Sequence, residues 1–223
     1  MVNQKHHFAA LLESQHADAI IAKLYQPLRW LHPKWIEKVI PADFPIDHHC
    51  IKTNQFIAEQ LSIPAKFDTE LSSPLSKFLL LERELVTQVI GVLGLSCFQQ
   101  ALKKLISKQI KHAIDQQIGC NACQIVMQKI PFMLSDFPKA LLVEDITLNS
   151  ASNLPNFIEK GLSVFKQICE DDSHFHLLCF ILSPEFTSNE KQSALCEETC
   201  RKTTLLIRKL AIEIDPLCSN LLK

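Results

Sequence analysis

The stretch SPLSKFLLLERELVTQVIGVL, residues 73–93, leaves this chain little freedom of fold. Its signals predict one helix: Ser73 is a suitable N-cap, Pro74 fits the first helical position, and Gly94 follows the last apolar residue as a stop. Phe78, Leu81, Leu85, Val89 and Val92 make one apolar row at helical spacing, and Leu79, Val86, Ile90 and Leu93 make a second beside it. Two adjacent rows are wider than a surface helix needs, so other helices must cover it from more than one side. At about 20 residues such a helix spans roughly 30 Å, the width of a small domain. Only Glu82, Arg83 and Glu84 interrupt the apolar surface. Successive helical residues point in different directions, so these three cannot all be buried, and one that is buried needs a partner. Arg83 is expected to be partly buried against Glu82 or another carboxylate.

Composition extends this to the whole chain. With 47% hydrophobic residues and only 4 glycines, the sequence suits helices and offers few of the turns that an all-β fold requires. The expected fold is all-α, an irregular multi-helix bundle around the central helix at about 73–93, with one short strand pair at most. One helical domain is expected over 1–223, with 1–24 as an N-terminal extension and 131–155 as an irregular connector. A formal charge of -1 argues against a dedicated nucleic-acid binder. The longest purely apolar run, residues 177–182, is far short of the roughly 20 residues that span a bilayer, so no direct membrane insertion is expected. The opening MVNQKHHFAALLES lacks a signal-peptide core, which predicts a cytosolic protein. Nine cysteines, an odd number, then read as reduced thiols, with Cys97, Cys169, Cys179 and Cys218 in or beside apolar stretches.

Along the chain, residues 6–24 carry a helical pattern, and YQPLRWLHPKWIEKVIP (25–41) reads as a turn-rich segment with a short helix over 33–39. A helix is expected at 54–61 and an extended stretch at 62–73. After Gly94 the signals predict helices at 96–106, from Ser107 to Gly119, and at 121–129 with Pro131 as its stop. Pro155 opens a helix to Cys169. HFHLLCFIL (174–182) fits a buried strand or a buried helix equally; in a strand, His174 and His176 would both face solvent. Ser188 can cap a final helix over 189–214 that includes Leu195, and PLCSNLLK adds a turn or two more.

No known catalytic motif is present: the chain has no GxSxG, no phosphate-binding loop, no GxGxxG and no HExxH. Cys120 and Cys123 form a CxxC, which can be half of a zinc site or a redox pair. Zinc would need two further ligands, from His112 or from Cys196 and Cys200, and the βαβ context of a redox CxxC is missing. No cofactor and no metal are expected. Two surfaces are candidates for partners. The first is the aromatic segment, with Tyr25, Arg29, Trp30, His32 and Trp35; prolines hold these large rings, although tryptophans commonly close a core. The second is a basic helix face with Lys104, Lys108 and Lys111 at three- and four-residue spacing, beside Lys103 and His112.

Three segments in order resemble one family. YQPLRWLHPKWIEKVIP resembles the aromatic, proline-bearing N-terminal signature of the SctK proteins of type III secretion systems (YscK, PscK, and the more distant OrgA and MxiK). SSPLSKFLLLERELVTQVIGVLGLSCFQQAL is similar to that family's leucine-rich helix with an internal arginine. LLIRKLAIEIDPLCSNLLK resembles its C-terminal helix and tail. The resemblance implies a non-enzymatic cytoplasmic adaptor of the sorting platform, peripheral to the inner membrane. It would link the ring protein's cytoplasmic domain (SctD-like) to the pod protein (SctQ-like), and through that to an SctL-like stator and the ATPase. The alternatives are a small zinc-binding or thiol-dependent helical protein using Cys120 and Cys123, and a secretion chaperone or regulator.

Overall fold

Helices account for the regular structure of the computed structural model, which describes residues 17–41, 43–63, 73–144, 148–169, 172–186 and 195–222 and has no strand among them. In chain order they are α1 (Ala17–Tyr25), α2 (Pro33–Ile36), α3 (Ile51–Gln60), α4 (Pro74–Leu79), α5 (Arg83–Ser96), α6 (Gln99–Lys104), α7 (Lys108–Ile118), α8 (Ala122–Gln124), α9 (Ile130–Met133), α10 (Phe157–Ile168), α11 (Asp172–Ile181) and α12 (Glu197–Ile214). The expected all-α fold is therefore observed. Residues 6–16, most of the 62–73 stretch and the Ser188 cap lie outside the described residues.

The chain divides into two compact units. The first takes in the described residues up to Arg83, those between Asp171 and Pro184, and 220–222; the second comprises Glu84–Glu170 and Glu185–Ser219. In the first unit α4 packs on α11, and Ser76 Oγ meets His174 Nε2 at 3.0 Å inside that contact. HFHLLCFIL is helical, so His174 turns inward to Ser76 while His176 is exposed. Ile20 of α1 packs on Leu80, with Leu24 and Leu221 against them. In the second unit the buried face of α5 runs from Leu85 to Ser96, and α7 turns Ile110, Ile114 and Ile118 inward.

The single helix expected over 73–93 is broken at residues 80–82 into α4 and α5. Leu79, Leu80 and Leu81 are all buried where the chain turns between the two helices. Arg83 is half-buried and its Nη1 donates to the Leu31 carbonyl oxygen at 3.0 Å, while Glu82 is exposed. Gly94 is not a stop either: α5 continues to Ser96, and a Cβ on Gly94 would stand 1.8 Å from the Phe157 carbonyl oxygen of α10. Its role is a close helix crossing.

The caps of α7 follow the expectation. Ser107 Oγ accepts from the Ile110 N–H at 3.4 Å, and Gly119 closes the helix at φ 85°. Pro131 does not end the helix before it. Residues Ile125–Lys129 widen into a π turn, and Pro131 then sits in the first turn of α9, where its missing N–H is not needed. At the C-terminus, α12 begins at Glu197 with Cys196 as its cap, so Leu195 precedes the helix.

Candidate functional site

The aromatic segment divides into rings that hold the first unit together and side chains that face outward. Trp30 is 6% exposed and belongs to the core, so it offers no contact surface. Lys23 lies 4.7 Å from its ring centroid, itself buried, and desolvation lowers the lysine to a pKa of about 7. The Trp30 Nε1 has no hydrogen-bond acceptor among the described residues. Trp35 is a fastener for α11: its Nε1 donates to the carbonyls of Cys179 at 3.1 Å and Leu182 at 3.0 Å, and its ring meets Phe180 edge-on at 5.1 Å. His32 is half-buried, its Nδ1 accepting from the Lys34 N–H at 3.3 Å. Tyr25 and Arg29 are exposed, with Arg29 Nη1 held to Gln26 Oε1 at 2.9 Å.

Exposed apolar side chains of this unit surround α3. Asn54 pins that helix down from its buried side: its Oδ1 accepts from the Leu28 N–H at 3.1 Å, and its Nδ2 donates to the carbonyls of His48 and Cys50, both at 3.0 Å. The opposite side is left open. Tyr25, Pro27, His49 and Ile51 line a groove on one flank, with Tyr25 59% and Ile51 71% exposed. Val39, Pro41, Phe44, Lys52 and Phe56 line a groove of about 400 Å³ on the other. Phe44 is 54% and Phe56 47% exposed, which is a heavy apolar load for water-facing rings and marks a surface for association. Sequence reasoning named Tyr25 but missed Phe44, Ile51 and Phe56. Ile51 and Phe56 lie off the buried face of α3, which Asn54 and Ile57 form.

The second unit has its own open apolar surface. The π turn and α9 present Phe132, 89% exposed, beside a groove of about 660 Å³ shared with Met133, Lys209 and Ile212. Its walls are fixed: Lys209 Nζ donates to the Met133 carbonyl at 2.7 Å, and Lys129 pairs with Glu213 at 3.1 Å. A π turn inside a helix is a frequent companion of functional sites. On the predicted basic face, Lys104 and Lys108 are exposed and Lys111 is half-buried.

The CxxC thiols sit in a setting that disfavours thiolate chemistry. Burial and the charge of Asp115 push Cys120 up to about 11 and Cys123 up to about 12. Asp115 Oδ1 accepts the Cys123 N–H at 2.9 Å, and the Cys123 thiol donates to the Lys111 carbonyl at 3.6 Å. His112 is engaged with Gln116 at 3.0 Å, and no group of three or more metal-ligating side chains comes together among the described residues. No helix among them is long and apolar enough to cross a membrane.

The exposed apolar side chains around α3 and at Phe132 suit association with other proteins. Comparison with curated proteins and with solved structures gives no match. The family model described as YOP proteins translocation protein K (YscK) matches residues 15–223, and the chain accordingly belongs to the YscK family of type III secretion proteins.

Proposed function

We propose that this protein is a non-enzymatic cytoplasmic adaptor of the type III secretion sorting platform, joining an SctD-like ring protein to an SctQ-like pod protein. Family membership supplies the machinery, and protein partners within it follow. The observation that carries the finer reading is the presence of a separate open apolar surface on each compact unit: Phe44 and Phe56 on the first, Phe132 on the second. An adaptor needs two such surfaces, whereas a one-partner chaperone needs one. Exposed aromatic anchors beside grooves are the usual centres of binding energy in protein interfaces. Tyr25 extends the first surface, Arg29, His32 and Trp35 are further contact candidates beside it, and the SctL-like stator and ATPase are reached only through the pod protein.

Co-expression with the SctQ-like protein and the SctD-like cytoplasmic domain tests this. The adaptor reading expects all three to elute together from size exclusion, and expects the two partners to separate when this protein is left out. Partners that associate equally well without it would contradict the reading. The thiol-dependent alternative is disfavoured by the raised Cys120 and Cys123, since a protonated thiol is a poor nucleophile.

A further inference from the structure

The link between α6 and α7 gathers positive charge around an exposed apolar side chain. Between residues 85 and 114 the sequence contains no aspartate or glutamate, yet it holds Lys103, Lys104, Lys108 and Lys111. None of the four is ion-paired among the described residues. The first acid after them, Asp115, is turned to the Cys123 N–H. The neighbouring turn Ala151–Asn153, which packs on α7, contributes no charge. Lys108 also begins α7 with no acid in its first turn, so the helix dipole adds to the positive field there. At the centre of this field stands Ile106, which is 91% exposed on the extended link between the two helices.

We infer that this corner is a peripheral contact for an anionic lipid surface, with Ile106 entering the headgroup boundary while Lys103, Lys104 and Lys108 meet lipid phosphates. The field selects a negatively charged occupant, and the projecting isoleucine selects between a bilayer and an acidic protein. A side chain standing clear of its own fold can enter a deformable interface without a matching pocket, and lysine stems reach along it while their ammonium groups stay at phosphate level. The grooves lie elsewhere, around α3 and beside Phe132. The contact needs no spanning helix, and it does not depend on the adaptor reading.

Vesicle co-sedimentation of the full chain tests it, comparing phosphatidylglycerol in phosphatidylcholine with phosphatidylcholine alone. The expected result is sedimentation with the anionic vesicles only, weakened about fivefold for each lysine changed to glutamine and lost at high salt. Ile106→Ser should weaken binding several-fold with no loss of melting temperature, because the side chain makes little contact with the fold. Equal binding to both vesicle types would overturn the proposal, as would a Lys103→Gln, Lys104→Gln, Lys108→Gln triple variant that binds like the wild type. Displacement by inorganic phosphate at matched ionic strength would assign the lysines to a soluble anion and also overturn it. If the triple variant instead loses an acidic protein partner while the wild type ignores anionic vesicles, the corner is a protein contact and the lipid assignment fails.

Discussion

Gly94 and Gly161 bring two helix backbones into direct contact. A Cβ on Gly94 would stand 1.8 Å from the Phe157 carbonyl oxygen and 2.7 Å from the Gly161 nitrogen, and a Cβ on Gly161 would stand 1.9 Å from the Ile90 carbonyl oxygen. Each glycine thus makes room for the other helix, and the obstacles are backbone atoms that cannot rotate away. Gly91 is a useful contrast, because the nearest atom to its Cβ would be the Ile118 side chain at 2.8 Å.

Gly94→Ala and Gly161→Ala should therefore each destabilise the second unit by about 3 kcal/mol or more, the upper end of what overpacking costs. Gly91→Ala should cost less, since Ile118 can shift. Urea unfolding checks the order. A gain of about 1 kcal/mol at Gly94, as helix propensity alone would give, would show that α5 and α10 do not cross so closely.

How much of this was legible in the sequence depended on how local each cause was. Ser107, Gly119 and the Ile110, Ile114, Ile118 face of α7 were readable, because capping and periodicity act within one helix. The break at residues 80–82 was not, since the local signals favour continuation across it. Gly94 looked like a stop because the Phe157 carbonyl that requires it lies far along the chain. Within the site, Tyr25 and Arg29 are exposed, while Trp30 is buried in the core beside Lys23, whose own burial no pattern flags. Phe132 escaped notice because its exposure depends on the π turn ahead of Pro131.

Lys23 gives a pH prediction. Its folded value of about 7 lies below the ordinary 10.5, so between these values the unfolded chain binds more protons than the folded one. Stability contributed by this residue should rise with pH across that window and be flat below it. The Trp30 ring face opposes the effect by favouring the ammonium. Lys23→Met should raise stability at neutral pH by about 1 kcal/mol or more, because a buried charge is replaced by an apolar chain of similar length. Melting curves of both proteins across the window check this; identical slopes would mean that Lys23 reaches water.

The cysteines should react in a fixed order. Cys196 is exposed at the N-terminus of α12, where the Thr199 hydroxyl, 3.2 Å from its sulfur, holds the thiol below its usual range. Cys120 and Cys123 are held above theirs. Limited alkylation at mildly alkaline pH followed by mass spectrometry should find Cys196 modified well before the CxxC pair. Early modification of Cys120 or Cys123 would return thiolate chemistry to consideration.

Ser76 and His174 make a buried polar contact between α4 and α11. Ser76→Ala should leave the imidazole nitrogen unsatisfied and cost about 1–3 kcal/mol. Thermal unfolding reads this directly, and an unchanged melting temperature would show that water replaces the hydroxyl.

In the proposed function the two units hold different partners through different apolar surfaces. The most direct measurement is titration calorimetry of the SctQ-like protein and the SctD-like cytoplasmic domain against a Phe44→Ser, Phe56→Ser variant and a Phe132→Ser variant. The account predicts that each variant loses at least tenfold in affinity for one partner, a different one in each case, and retains the other. Both variants binding both partners with wild-type affinity, or both losing the same one, would contradict it.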